Sequence, residues 1–98
     1  MEATLWKVGV AHRNFVTPKN GTDFTLEELY ELLDTDLIEV VHLNASQVEA
    51  EAIMIVDEEA KLKGKKFNAL ASIEFYSRSM PLQDIAGDAI ICDPSMLK

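Results

Sequence analysis

The hydrophobic positions of the chain change period along its length, and each change marks an element. Leu5-Trp6-Lys7-Val8-Gly9-Val10-Ala11 is rich in β-formers and predicts a first strand, with Leu5, Val8 and Val10 available to a core. Asn14 to Thr17 predicts a short strand pairing back on it. Pro18-Lys19-Asn20-Gly21 follows as a turn, because Pro fixes φ and lacks a donor while Asn-Gly tolerates positive φ.

The period then becomes helical. Thr25-Leu26-Glu27-Glu28 is a capping box, in which the Thr25 hydroxyl accepts from the Glu28 N–H and the Glu28 carboxylate reaches back to the Thr25 N–H. Phe24 and Leu29 fit a hydrophobic staple. Leu26, Leu29, Tyr30 and Leu33 fall at i, i+3, i+4 and i+7, which predicts a helix from Leu26 to Leu33 with Glu27, Glu28 and Glu31 turned toward solvent.

Beyond the helix, Leu37 to Leu43 is dense in β-branched residues and reads as a strand. Ala52-Ile53-Met54-Ile55-Val56 is a continuous apolar run bounded by charge, as in a strand covered on both faces or on one face plus an edge. The polar residues from Asn44 to Glu51 join the two as the long loop of an antiparallel hairpin. Asp57 to Gly64 places acids first, lysines last and Gly at the end, fitting one or two helical turns or a tight turn. Asn68 to Ser72 predicts another short helix, and Ile73 to Tyr76 turns back to β character. Pro81 breaks the chain. Asp84 to Cys92 supplies a turn marked by Gly87 and a last apolar strand, which Pro94 ends. The expected fold is a single α+β domain over residues 1–98. A mostly antiparallel sheet of four to five strands packs one face on the Leu26 to Leu33 helix, beside one or two short helices.

Composition fits that architecture. The 98 residues are the length of one domain, and 48% hydrophobic against 27% charged supports a packed core. One cysteine, Cys92, excludes an internal disulfide and suits a reducing cytoplasm. No basic segment leads into an apolar core at the start, and no apolar run approaches the ~20 residues of a membrane span, so no membrane partner is expected.

Charge changes the picture more. The net charge is -8, which disfavours phosphate-backbone binding and so direct nucleic-acid contact. Resolved by segment, residues 1–20 carry +2, residues 21–60 carry -12 with no Lys or Arg, residues 61–66 carry +4, and the remainder -2. An acidic stretch abuts a lysine cluster. Glu27, Glu28, Glu31, Glu58 and Glu59 are the candidate surface for a basic protein partner, set against the simpler reading of a solubilising face. Lys61, Lys63, Lys65 and Lys66 with Asn68 are the candidate site for the alternative, a small ligand or nucleotide derivative, although Gly64 lacks the spacing of a phosphate-binding loop.

Catalytic chemistry finds little purchase. Cys92 lies in an apolar run as a small hydrophobe, His42 alternates with Val41 and Leu43, and His12 and His42 have no zinc spacing. No catalytic residue, metal or cofactor is expected, and the chain reads as non-enzymatic. Trp6, Phe24, Phe67, Phe75 and Tyr76 are expected to fill the core and its rim. Met96 and Leu97 are candidate exposed groups for self-association, alongside the sheet edges.

Leu37 to Leu43, Met54 to Gly64 with Asn68 four residues on, and Asp84 to Ile91 together resemble an uncharacterised family of small bacterial and bacteriophage proteins, classed as a domain of unknown function. The Thr25 to Leu29 helix start fits the same pattern, so the resemblance spans residues 25 to 92. Ala60 stands where that family commonly has glycine, Ala69 follows Asn68 where arginine is frequent, and the loop from Asn44 to Glu51 is longer. The resemblance implies an accessory protein of a phage, plasmid or other mobile element, with no assigned activity or catalytic residues.

Overall fold

A computed structural model describes residues 3–10, 14–43, 52–69, 71–72 and 85–97. Five strands, β1 (Ala3–Trp6), β2 (Asn14–Val16), β3 (Ile38–Leu43), β4 (Ala52–Asp57) and β5 (Ala89–Cys92), form one sheet in the order β2-β1-β5-β4-β3. Every neighbouring pair is antiparallel. Helix α1 (Leu26–Leu33) lies between β2 and β3 in sequence, and a 3-10 turn, η1 (Pro94–Met96), follows β5. The class is α+β, as the hydrophobic pattern predicts.

Strand alternation sorts the core into two layers. Ile53 and Ile55 of β4 point with Ile90, Cys92, Ala3 and Leu5 toward Leu29 and Leu33 of α1, with Phe24 and Met96 closing the layer. Met54 and Val56 point the other way and pack with Trp6, Ala89, Ala71 and Ile85. Strand β4 is therefore covered on both faces, which is why its sequence is continuously apolar instead of alternating. The helix occupies one face, and the second face has its own core, which fits the reading of the Ala52–Val56 run as a strand covered on both faces.

Several expectations shift on the structure. The first strand is Ala3–Trp6, and its predicted continuation is a turn, because Gly9 takes φ +77° and Val10 N–H donates back to the Lys7 carbonyl at 3.2 Å. Leu26, expected on the buried face, is 46% exposed, whereas Glu28, expected in solvent, is buried. Met96 is buried and is not an exposed group for self-association, while Phe67 is exposed and does not fill the core. Residues 57–64 form successive turns ending at Gly64, whose φ is +73°. Pro94 ends β5 and opens η1, with the Asp93 carboxylate accepting from Ser95 N–H. The predicted connection 44–51, the β character of residues 73–76, the break at Pro81, and Phe75 and Tyr76 lie outside the described residues, as does the side chain of His42.

Candidate functional site

The lysine cluster and the acidic stretch meet at the end of β4, and the meeting point is Asp57. Strand alternation puts this carboxylate on the α1 side of the sheet, where its side chain is 1% exposed. One oxygen, Oδ1, accepts from the Thr35 hydroxyl and the Glu59 N–H, each at 2.9 Å. The other, Oδ2, accepts from Lys63 Nζ at 3.1 Å and Lys65 Nζ at 2.7 Å. All the lone-pair directions of the carboxylate are used. Burial pushes its pKa up, but the bonds from Lys65, Glu59 N–H, Lys63 and Thr35 outweigh burial and hold it well below the usual carboxylate range.

Lys65 does a second job. Helix α1 has no basic residue in its last turn and ends at Asp34, a non-glycine residue in the left-handed region with φ 52°. Lys65 Nζ reaches the orphan carbonyls there, donating to Leu33 O at 3.0 Å and Asp34 O at 2.8 Å. With Asp57 Oδ2 these acceptors take all three ammonium protons. A cation thus serves the negative end of the helix dipole from more than thirty residues away. The contact with Asp57 raises the Lys63 pKa; partial burial opposes that, and the charges of Asp57, Asp36 and Glu59 reinforce it.

Asn68 is likewise committed inward. Its amide nitrogen donates to Trp6 O at 2.8 Å and Gly87 O at 2.9 Å, and its Oδ1 accepts from Ala71 N–H at 3.1 Å. Its backbone N–H donates to Ile85 O at 2.7 Å, and Ser72 Oγ accepts from Ile85 N–H at 2.9 Å. Asn68 thereby caps the helical turn that includes Ala69, Ala71 and Ser72, and ties it to the segment entering β5 and the end of β1. The predicted ligand set is not one patch: Lys65 and Asn68 turn into the protein, Lys63 reaches Asp57 from an exposed position, and Lys61 and Lys66 stay exposed. A recess of about 290 Å³ between Val8, Leu33, Lys65, Lys66, Gly87 and Asp88 borders the cluster.

The acidic candidates divide too. Glu27 and Glu31 are exposed on α1. Glu28 faces inward, where its Oε2 accepts from the Lys19 N–H at 2.9 Å. Only half of the expected capping box forms: Thr25 Oγ1 accepts from Glu28 N–H at 3.2 Å, but the Glu28 carboxylate secures the Pro18–Gly21 turn instead of the Thr25 N–H. Glu31 shares an open depression with Asp34, Asp36 and Lys63. Glu58 borders a different recess, with Glu39 and Val41 of β3. Glu59 donates its N–H to Asp57.

Thr35, Asp57 and Ser72 are the organising residues that the sequence reading did not single out. The available signal for Asp57 was a carboxylate ending a fully apolar run, with lysines six and eight positions on. Among the described residues no group of His, Cys, Asp and Glu is arranged to hold a metal, and no helix is long and apolar enough to cross a membrane.

The family model described as Domain of unknown function (DUF3846) matches residues 10–96, which takes in Asp57, the lysine cluster, Asn68 and α1. The chain belongs to this family. The resemblance read from residues 25 to 92 is thus extended at both ends. No curated protein and no solved structure matches the chain. Ala60 is 3% exposed, has no positive φ, and its carbonyl accepts from Lys65 N–H at 2.9 Å.

Proposed function

We propose that the protein is a non-enzymatic protein-binding module, which presents the outer face of α1 to a basic partner surface. The observation that carries this reading is the internal use of Lys63 and Lys65. Two of the four clustered lysines face a buried carboxylate, and neither bridges Glu27 or Glu31. The pair between Lys19 and Glu31 spans 3.6 Å with both side chains at least three-quarters exposed, and such surface pairs contribute little. An acidic helix face whose nearest clustered lysines are engaged on another carboxylate favours encounter with cationic surfaces. The same reading takes the protein for a cytoplasmic accessory protein of a phage or other mobile element, supported by the family resemblance and the single buried thiol.

The test is affinity capture from cell lysate with the wild-type chain and the double variant Glu27→Lys, Glu31→Lys. Glu28 is left intact because it supports the fold. The wild type is expected to retain a basic protein at low salt, to lose it as ionic strength rises, and the variant to retain none while keeping its circular dichroism and Tm. Capture unchanged by charge reversal, or no basic protein retained above background, overturns the reading.

A further inference from the structure

On the face of the sheet away from α1, a recess of about 150 Å³ lies between β3, β4 and the turn after β4. Its apolar surface comes from Val41, Val56 and Ile85, of which Val56 and Ile85 are buried and Val41 half-buried. Glu39 stands two residues before Val41 on the same face of β3, directly opposite Val56 in the β3–β4 register. Glu58 also lines the recess, its N–H donating to Leu37 O at 3.1 Å. Both carboxylates are exposed, and no lysine or arginine among the described residues bridges either of them. Asp57 also borders the recess, but its charge is already met by Lys63 and Lys65. Lys61 is the cation at the rim, so the two free carboxylates leave the rim negative.

The lip adds an independent observation. Leu62 borders the recess and is 87% exposed, an apolar side chain that buries almost nothing within its own chain. An apolar floor, an unused apolar lip and two unbridged carboxylates suit one kind of occupant. It has an aliphatic stem of several methylenes and a cationic head, as lysine and arginine do when the stem lies on apolar surface and the charge stays at the wet rim. A neutral apolar side chain would leave Glu39 and Glu58 facing it without compensation, and an acidic one would be repelled.

We infer that this recess seats a lysine or arginine side chain from a partner polypeptide. The volume is about five times that of a liquid water, enough for the stem while the head remains outside. The site is chemically and spatially distinct from the α1 face, so it stands or falls independently of the function proposed above.

The experiment is a 15N–1H NMR titration of the full chain with three blocked pentapeptides, Gly-Gly-X-Gly-Gly, where X is arginine, lysine or citrulline. Citrulline keeps the stem and shape of arginine and removes the charge. Saturable shifts are expected at the amides of Val41, Val56, Ala60 and Ile85 with the arginine and lysine peptides, and about fivefold weaker binding with citrulline. The double variant Glu39→Gln, Glu58→Gln should weaken the arginine peptide to the citrulline level, and Leu62→Ser should weaken all three peptides. The pair Glu27→Lys, Glu31→Lys should leave the titration unchanged, which separates failure here from failure of the α1 reading. Shifts spread over the acidic surface, equal binding of citrulline and arginine, indifference to the Glu39 and Glu58 changes, or no saturable shift with any peptide overturns the inference.

Discussion

At Asp57 one carboxylate ties the end of β4 and the lysine turn that follows it to Thr35 after α1, 22 positions away. Removing its charge leaves two ammonium groups facing an amide, and Lys65 is held near that amide by the carbonyls it caps. Asp57→Asn is therefore expected to lose about 2–3 kcal/mol of stability at neutral pH, measured by urea unfolding. The pH dependence has a definite sign. The native carboxyl titrates below its unfolded value of about 3.9, so its contribution is present above that pH and is lost as pH falls toward the native pKa. The stability gap between wild type and Asp57→Asn should shrink steadily below about pH 4. A constant gap would mean that the carboxylate charge is not what stabilises the site. The sequence placed an acid and two lysines within nine positions, but their convergence needed the strand to send Asp57 inward and the turn to fold back beneath α1.

Elements were legible where local rules agree with burial. Helix α1 spans Leu26 to Leu33 as its cap and period require, and β3 and β4 pair in the expected hairpin. The turn elements show where tertiary contact enters. Gly64 and Gly87 have nearly equal positive φ, +73° and +76°, and sequence alone cannot rank them. A Cβ on Gly64 meets nothing within 4 Å, whereas one on Gly87 lies 3.0 Å from Lys65 Cδ and 3.6 Å from the Ala60 Cβ. Lys65 is pinned at three acceptors and cannot readily give way. Gly64→Ala should cost the left-handed penalty alone, about 1–2 kcal/mol, and Gly87→Ala distinctly more. Thermal unfolding of the two variants decides it; equal losses in Tm would show that the Lys65 chain yields freely. The same logic explains Glu28, whose helical position alone allowed solvent exposure but whose carboxylate meets the Lys19 amide.

Over the whole molecule, the sheet order places β5, the last strand, between β1 and β4. Cys92 therefore lies in the interior strand nearest the end of the sequence, and its thiol is buried against Ile53 on the neighbouring strand. Burial, helped by the charge of Asp93, pushes the thiol pKa up to about 11. Few native molecules carry the thiolate at pH 8, and the sulfur is reached only when β5 separates from its neighbours. Labelling by a disulfide reagent at pH 8 should therefore be slow in the native protein and accelerate with urea in proportion to global unfolding. Rapid labelling independent of urea would show that β5 opens locally.

The sequence by itself determined the class, helix α1 with its threonine cap, the β3–β4 hairpin and the buried thiol. Each of these follows from local period, capping chemistry or a run of apolar side chains. The charge asymmetry was also visible, since net charge by segment needs no coordinates. Tertiary structure alone decided which charges remain outside. Lys65, Asp57, Glu28 and Asn68 are polar residues that any local rule would send to solvent, yet each finds a partner outside its own element. Burying a polar group is tolerated only where its hydrogen bonds are returned, and those bonds come from segments that sequence proximity does not connect.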